Sequence, residues 1–221
     1  MHDEHAARAG TLSQRTAPMS PGLRPERPLV HVASRAAWRR WLEREHATSS
    51  GVWAVTVKKG ALAPDEEYVS AVDLNEECLC FGWIDSKPAR IDDRHTALLC
   101  TPRKPDSGWS KVNKDRLERL ITEGRVAPAG LAAIERAKLD GSWTKLDDVD
   151  LLAVPDDLAD ALDRLPPARS NFEAFPRSAR RAILEWIGAA KMPATRAERI
   201  EETARLAKDD IRANQWPRPR R

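Results

Sequence analysis

Long apolar runs are missing from this chain: nowhere do eighteen apolar residues follow one another, so no membrane-spanning helix and no membrane insertion are expected. A dominant charge is missing too. Lys and Arg number 37 against 34 Asp and Glu, a formal net charge of +3, so no global field marks a nucleic-acid or membrane partner. Cysteines number only three, whereas a disulfide framework shows an even count in a small secreted chain; reduced thiols are expected. The N-terminus lacks a basic segment followed by an apolar stretch, and a cytoplasmic location is expected. No GxGxxG and no GxxxxGK[ST] occurs, which leaves a nucleotide-binding loop without support. No GxSxG occurs either, and "SGWS" at 107–110 does not supply that elbow. The five histidines, His2, His5, His31, His46 and His95, show no metal-ligand spacing, so neither a zinc site nor any other cofactor is expected.

What is present suffices for a core. The chain has 221 residues, 41% of them hydrophobic, with eight tryptophans, enough for one generous domain or two small ones. Residues 1–28 carry no large side chains at helical or strand spacing and close on four prolines, which predicts a disordered tail. From Ser34, a helix cap, Trp38, Trp41 and Leu42 share one face, with Gly51 beyond the end. "VWAVTVK", residues 52–58, alternates as a strand.

The stretch "CLCFGWIDSK", 78–87, holds two cysteines, two aromatics, an aspartate and a lysine. Asp73 and Glu76 have capping-box spacing, Leu74, Cys78 and Phe81 recur on one helical face, and Gly82 stops the helix. Cys78 and Cys80, two apart on a helix, point to opposite sides and cannot share a metal; Cys78 reads as core. Beyond Gly82 the period becomes two, with Trp83, Asp85 and Lys87 on one face of a strand. Segments 52–58, 83–91 and 95–101 then form a small antiparallel sheet.

The remainder is helical. One helix is capped by Ser110 or Asn113 and ends at Gly124; a second opens at Pro128 and ends at Gly141; "DDVDLLAVPDDL" is an acidic connector. A short helix from Asp156 or Asp157 ends before Pro166 and Pro167. Two longer helices close the fold as a hairpin. Ala179, Ile183, Trp186, Ile187 and Ala190 stripe the first. Ala197, Ile200, Ala204, Ala207 and Ile211 stripe the second, which a Thr195–Glu198 capping box begins. The basic set Arg177, Arg180, Arg181, Lys191, Arg196 and Arg199 reads as the solvated side of these helices. The expected fold class is α+β: a small antiparallel sheet flanked by helices over 29–125, then a mainly helical part over 126–212 packed on it, then a basic, frayed end at 213–221.

Three stretches carry a family resemblance: "CLCFGWIDS", "TPRKPDSGWSKVNKDRLERLITEGRV" and "FPRSARRAILEWIGAAKMPATRAERIEETA". They resemble the YdeI/OmpD-associated family, also labelled bacteriocin-protection proteins, over residues 29–210. The resemblance implies association with an outer-membrane porin and tolerance of antimicrobial peptides in some members, a stress-response role, and no reaction or cofactor.

The best candidate site in the residues themselves is "TPRKPDSGWSKVNKDR", 101–116, with five basic against two acidic residues around Trp109. Two prolines and a glycine stiffen it, and it feeds a helix start, where anions are favoured. Arg103, Lys104 and Lys111 would hold a phosphate, a carboxylate or an acidic partner segment beside Ser110 and Asn113, with Trp109 stacking on the ligand. Equally, Trp109 plugs the sheet's edge while the lysines solvate the surface. Trp83, Asp85 and Lys87 line the same cleft if their strand neighbours the one delivering Arg103. His95 beside Asp92 and Asp93 reads as a solvated turn histidine, with an acid–base role as the alternative. Single-stranded nucleic acid wants several exposed aromatics along a basic groove, and one is evident, so nucleic-acid binding is not favoured. A non-enzymatic binding protein with a protein partner or a small anionic ligand is the expectation, with an enzyme acting on such an anion as the alternative.

Overall fold

The computed structural model describes residues 27–215, so the expected N-terminal tail up to residue 26, with His2 and His5, and the last six basic-end residues lie outside them. The described chain divides into two compact units. One comprises the residues up to Lys104 together with Arg116–Arg136; the other comprises Pro105–Asp115 with the residues from Ala137 onward.

The first unit is built on a four-stranded sheet in the order β1-β2-β4-β3, with β1 at Leu29–His31, β2 at Val52–Val57, β3 at Trp83–Arg90 and β4 at His95–Pro102. The three expected strands pair antiparallel, as Val55↔Ala97 and Ala89↔Ala97 show. The sheet is nonetheless mixed, because β1 adds in parallel with Leu29 opposite Trp53. Three residues beside a proline-rich stretch are too short to show a period, which is why β1 is silent in the sequence. Helix α1 (Arg35–Glu45) starts as expected at Ser34, whose Oγ accepts from the Ala37 N–H at 3.0 Å. It buries Trp38 and Leu42, and the Trp38 indole N–H donates to the Leu74 carbonyl at 3.2 Å.

Helix α2 spans Ala71–Cys80. Its capping box is Ser70 with Asp73, one turn earlier than the Asp73–Glu76 pair: the Asp73 N–H donates to Ser70 Oγ at 3.1 Å and the Ser70 N–H to Asp73 Oδ2 at 2.9 Å. Glu76 is freed for another role. Leu74, Cys78 and Phe81 are buried as expected, and Gly82 ends the turn at φ +72°. The corner between α2 and β3 is braced by helix α4 (Pro128–Leu139): the Ala127 N–H donates to the Cys80 carbonyl at 3.0 Å, and Gly130 lies so close that a Cβ there would collide with that oxygen. All three cysteines are buried, free thiols. Burial pushes the Cys78 thiol up, with Cys100 beside it.

The second unit is helical from Ala137 onward. The acidic connector holds a short helix, α5 (Asp147–Leu151), ended by Leu152 at φ 60°. Helix α6 (Asp156–Asp163) is where the sequence puts it, and after the prolines there is a further helix, α7 (Ala168–Ala174), not foreseen because its seven residues give only Phe172 as a large core residue. Helices α8 (Arg177–Gly188) and α9 (Pro193–Lys208) close the unit as consecutive helices joined over four residues. Phe172, Ile183, Ile187, Ile200, Ala204 and Ala207 share one core cluster with Leu158 and Leu162. Helix α9 packs more on α6 and α7 than on α8. It begins at Pro193, which suits the first helical position, so Thr195 and Glu198 form no cap. Of the expected stripes, Ala197 is exposed, and Ala190 and Ile211 lie beyond their helix ends.

Candidate functional site

The nine residues singled out in the sequence fall into both units: Trp83, Asp85, Lys87, Arg103 and Lys104 in the first, Trp109, Ser110, Lys111 and Asn113 in the second. In the second unit the loop before helix α3 (Lys111–Thr122) is tied to the segment around α5. Trp109 is only 2% exposed, which leaves its ring faces to protein; it packs on Trp143 at 5.2 Å, and its N–H donates to the Ser142 carbonyl at 3.3 Å. Ser110 caps α3, receiving the Asn113 N–H at 3.4 Å. Lys111 is exposed and pairs with Asp115 at 2.8 Å.

The anion at this helix start is the protein's own. Asp150 Oδ2 accepts the Lys111 N–H at 2.6 Å, and its Oδ1 accepts from Arg181 Nε at 2.7 Å; Arg177 donates to its carbonyl. Burial works against charge on Asp150, but the Lys111 N–H, the Arg181 guanidinium and nearby Lys114 together hold its carboxyl below the usual range. Lys114 in turn pairs with Asp147 and lies 5.5 Å from the Trp143 ring. Asp150 thus joins α3, α5 and α8. Nothing in its neighbourhood in the chain announces it, since an aspartate in "DDVDLL" looks like one more connector charge.

Beside this hub lies a groove of about 460 Å³ between the Asp106–Gly108 loop, Lys145 to Val149, and the end of α8 from Glu185 to Lys191. Asp106, at φ 61°, is clasped by Lys145 at 2.7 Å, while Glu185 is held by Arg181 at 2.7 Å. The basic residues of α8 and α9 do more than face solvent. Arg196 forms a two-pronged pair with Asp157 at 2.7 and 2.9 Å, and Arg199 lies 5.0 Å over Trp186 while donating to its carbonyl.

In the first unit, Trp83 is 1% exposed; its indole N–H donates to the His46 carbonyl at 3.1 Å and its ring meets Trp41 edge-on. Asp85 accepts from Asn75 at 2.6 Å, and Asn75 accepts from Arg116 at 2.6 Å, so a polar chain crosses from α3 to β3. Arg103 is 8% exposed; burial lowers its pKa to about 10, and Asp85 offsets part of that. Asp85 thus acts on Arg103 through its charge, whereas Lys87 and Lys104 are exposed.

A larger charge cluster went unseen. Glu77, 1% exposed, is met by Arg35 at 2.7 Å, Arg39 at 3.0 Å and Arg125, and Glu76 by Arg35 at 2.7 Å and Arg119. Burial opposes charge here, yet Glu77 and Glu76 hold the Arg35 guanidinium protonated. With every carboxylate oxygen matched, the cluster acts as a brace between α1, α2 and α3. Its arginines lie from 35 to 125 in sequence, too dispersed for spacing to reveal. His95 is paired, its Nδ1 2.8 Å from Asp92 Oδ2, and the His95 hydrogen bond holds the Asp92 carboxyl low. The His31 ring stands edge-on to His95 at 5.8 Å, and burial with that neighbour pushes His31 down.

Among the described residues no helix is long and apolar enough to cross a membrane, and no three His, Cys, Asp or Glu side chains group as metal ligands would. Residues 152–209 match the family described as "Bacteriocin-protection, YdeI or OmpD-Associated". Residues 30–133 match a separate family, a domain of unknown function, DUF8412. The resemblance seen in the motifs therefore holds on the α6–α9 segment. No curated protein and no solved structure matches the chain.

Proposed function

We propose that this chain is a cytosolic, non-enzymatic binding protein of the bacteriocin-protection type, whose helical unit engages a protein partner in envelope stress. The observation that carries the reading is the match over residues 152–209, which lies wholly inside the helical unit and includes the α8 wall of the groove. Around that groove Asp150, Arg181, Glu185, Asp106 and Lys145 are paired with one another, which fixes the walls without an added ligand. Next to it in sequence Met192 stays 64% exposed, the kind of adaptable apolar side chain that partner surfaces use. Capture of cross-linked partners on the full chain, together with survival of a deletion strain under bacteriocins and cationic peptides, tests this. Recovery of background proteins only, with unchanged survival, would sink it.

The second reading, a small anionic ligand near the 101–116 loop, draws on Lys145 and Lys191, both of which line the groove. It requires a thermal shift with phosphates or nucleotides that Lys145→Ala and Lys191→Ala both remove.

A further inference from the structure

The sheet-bearing unit has a cleft of its own, remote in composition from the groove above, of about 350 Å³. Its apolar surface comes from Val69, Leu74 and Leu98, which are 3%, 2% and 9% exposed. On that surface lies a polar exception. Thr56 is 6% exposed and lines the cleft from β2, yet its hydroxyl makes no hydrogen bond to any described residue. Its hydroxyl is not among the fully enclosed, unbonded polar atoms of the described residues, so it opens onto the cleft and can donate to, or accept from, a group that enters.

The charge of the lining says what that would be. Twelve residues line the cleft; two are lysines, Lys58 and Lys59, and none is acidic. Of the three acidic residues in the loop leading in, Asp65, Glu66 and Glu67, none lines the cleft; Glu66 pairs with Arg94 and Glu67 accepts the Arg35 N–H at 3.1 Å. Lys58 donates to the carbonyls of Asp92 and Asp93 at 2.7 and 3.2 Å, so its charge is positioned but not cancelled by a carboxylate. Lys59 is exposed, and its ammonium lies 6.0 Å from the Tyr68 ring. Tyr68 itself is 44% exposed and lines the cleft. The first residue of α2, Ala71, lines it as well.

From this we infer that the cleft binds a small amphipathic carboxylate: an apolar or aromatic body on Val69, Leu74 and Leu98, and a single acid group answered by the Thr56 hydroxyl and the Lys59 ammonium beside Tyr68. Size limits the body to a short chain or one ring. This site goes beyond the proposed partner-binding role, rests on the other unit, and stands or falls independently of it.

Titration of the full chain with octanoate and with phenylacetate, monitored by ligand-observed NMR and calorimetry, tests the inference, with octanol and 2-phenylethanol as uncharged controls. Saturable binding of at least one acid is expected, with a Kd between about 10 μM and 1 mM and about tenfold weaker binding of its alcohol. Lys59→Gln, at an exposed position, should weaken the acid about tenfold and leave the alcohol unchanged; Thr56→Val should do the same if it folds. No saturable binding of either acid by the folded chain would overturn the proposal. Equal affinity of Lys59→Gln and the unaltered chain would overturn it too, since the acid would then bind elsewhere.

Discussion

Replacing Asp150 by Asn tests the hub that organises the helical unit. The two oxygens of Asp150 each face a donor, the Lys111 N–H at 2.6 Å and Arg181 Nε at 2.7 Å. An asparagine presents one acceptor and one NH₂, so whichever way it turns, a donor meets a donor. That mismatch at a buried position costs about 1–3 kcal/mol. Losing the charge on the Arg181 side adds less, because that guanidinium is 30% exposed and the pair is partly screened. A total near 2 kcal/mol corresponds to a Tm lower by about 4–8 °C for a chain of this size. The pH dependence adds an internal check. A carboxyl whose folded pKa is depressed contributes stability above its unfolded pKa, about 3.9, and loses it as pH falls through the lower folded value. The gap between Asp150→Asn and the unaltered chain, followed by circular dichroism, should therefore be full at pH 7 and shrink below pH 4. Equal melting at pH 7, or a gap that ignores pH, would show that Asp150 does not hold the hub as an ionised carboxylate.

Two further outcomes are expected. Gly130→Ala should destabilise although alanine is the better helix former by about 1 kcal/mol, because its Cβ would strike the Cys80 carbonyl and overpacking costs about 1–3 kcal/mol; Gly188→Ala, with nothing within 4 Å, should be neutral or stabilising, and denaturant melts of the two compare them directly. His31 has a folded pKa below its ordinary value, so the unfolded chain takes up more protons as pH falls through about 6.5 and stability is lost in that range; His31→Gln should lower the Tm difference between pH 8 and pH 5.5, and an unchanged difference would count against it.

Period and punctuation made much of the fold legible. The alternation in "VWAVTV", the break at Gly82 and the 3.6-residue stripe around Ile183 and Ile187 each report a local preference that burial then enforces. Elements too short to show a period escaped, as β1, α5 and α7 did. The candidate site was less legible, because its chemistry is made by pairing across the fold. A loop rich in lysine and arginine reads as anion-seeking until the partner carboxylate is seen, and Asp150, 39 residues beyond Lys111, supplies it. The Thr56 cleft was invisible for a related reason: a threonine in a strand is ordinary, and only its place in the wall of an otherwise apolar cleft distinguishes it.

The proposed function gives the helical unit's groove a protective binding role. The most direct measurement is survival of a deletion strain under a bacteriocin or a cationic antimicrobial peptide, complemented by the unaltered full chain or by Ala189→Trp, an exposed groove position where an indole would fill the space without entering the core. Deletion should lower survival, the unaltered chain should restore it, and Ala189→Trp, folded to the same Tm, should not. Survival unaffected by deletion, or restored equally by both chains, would contradict it.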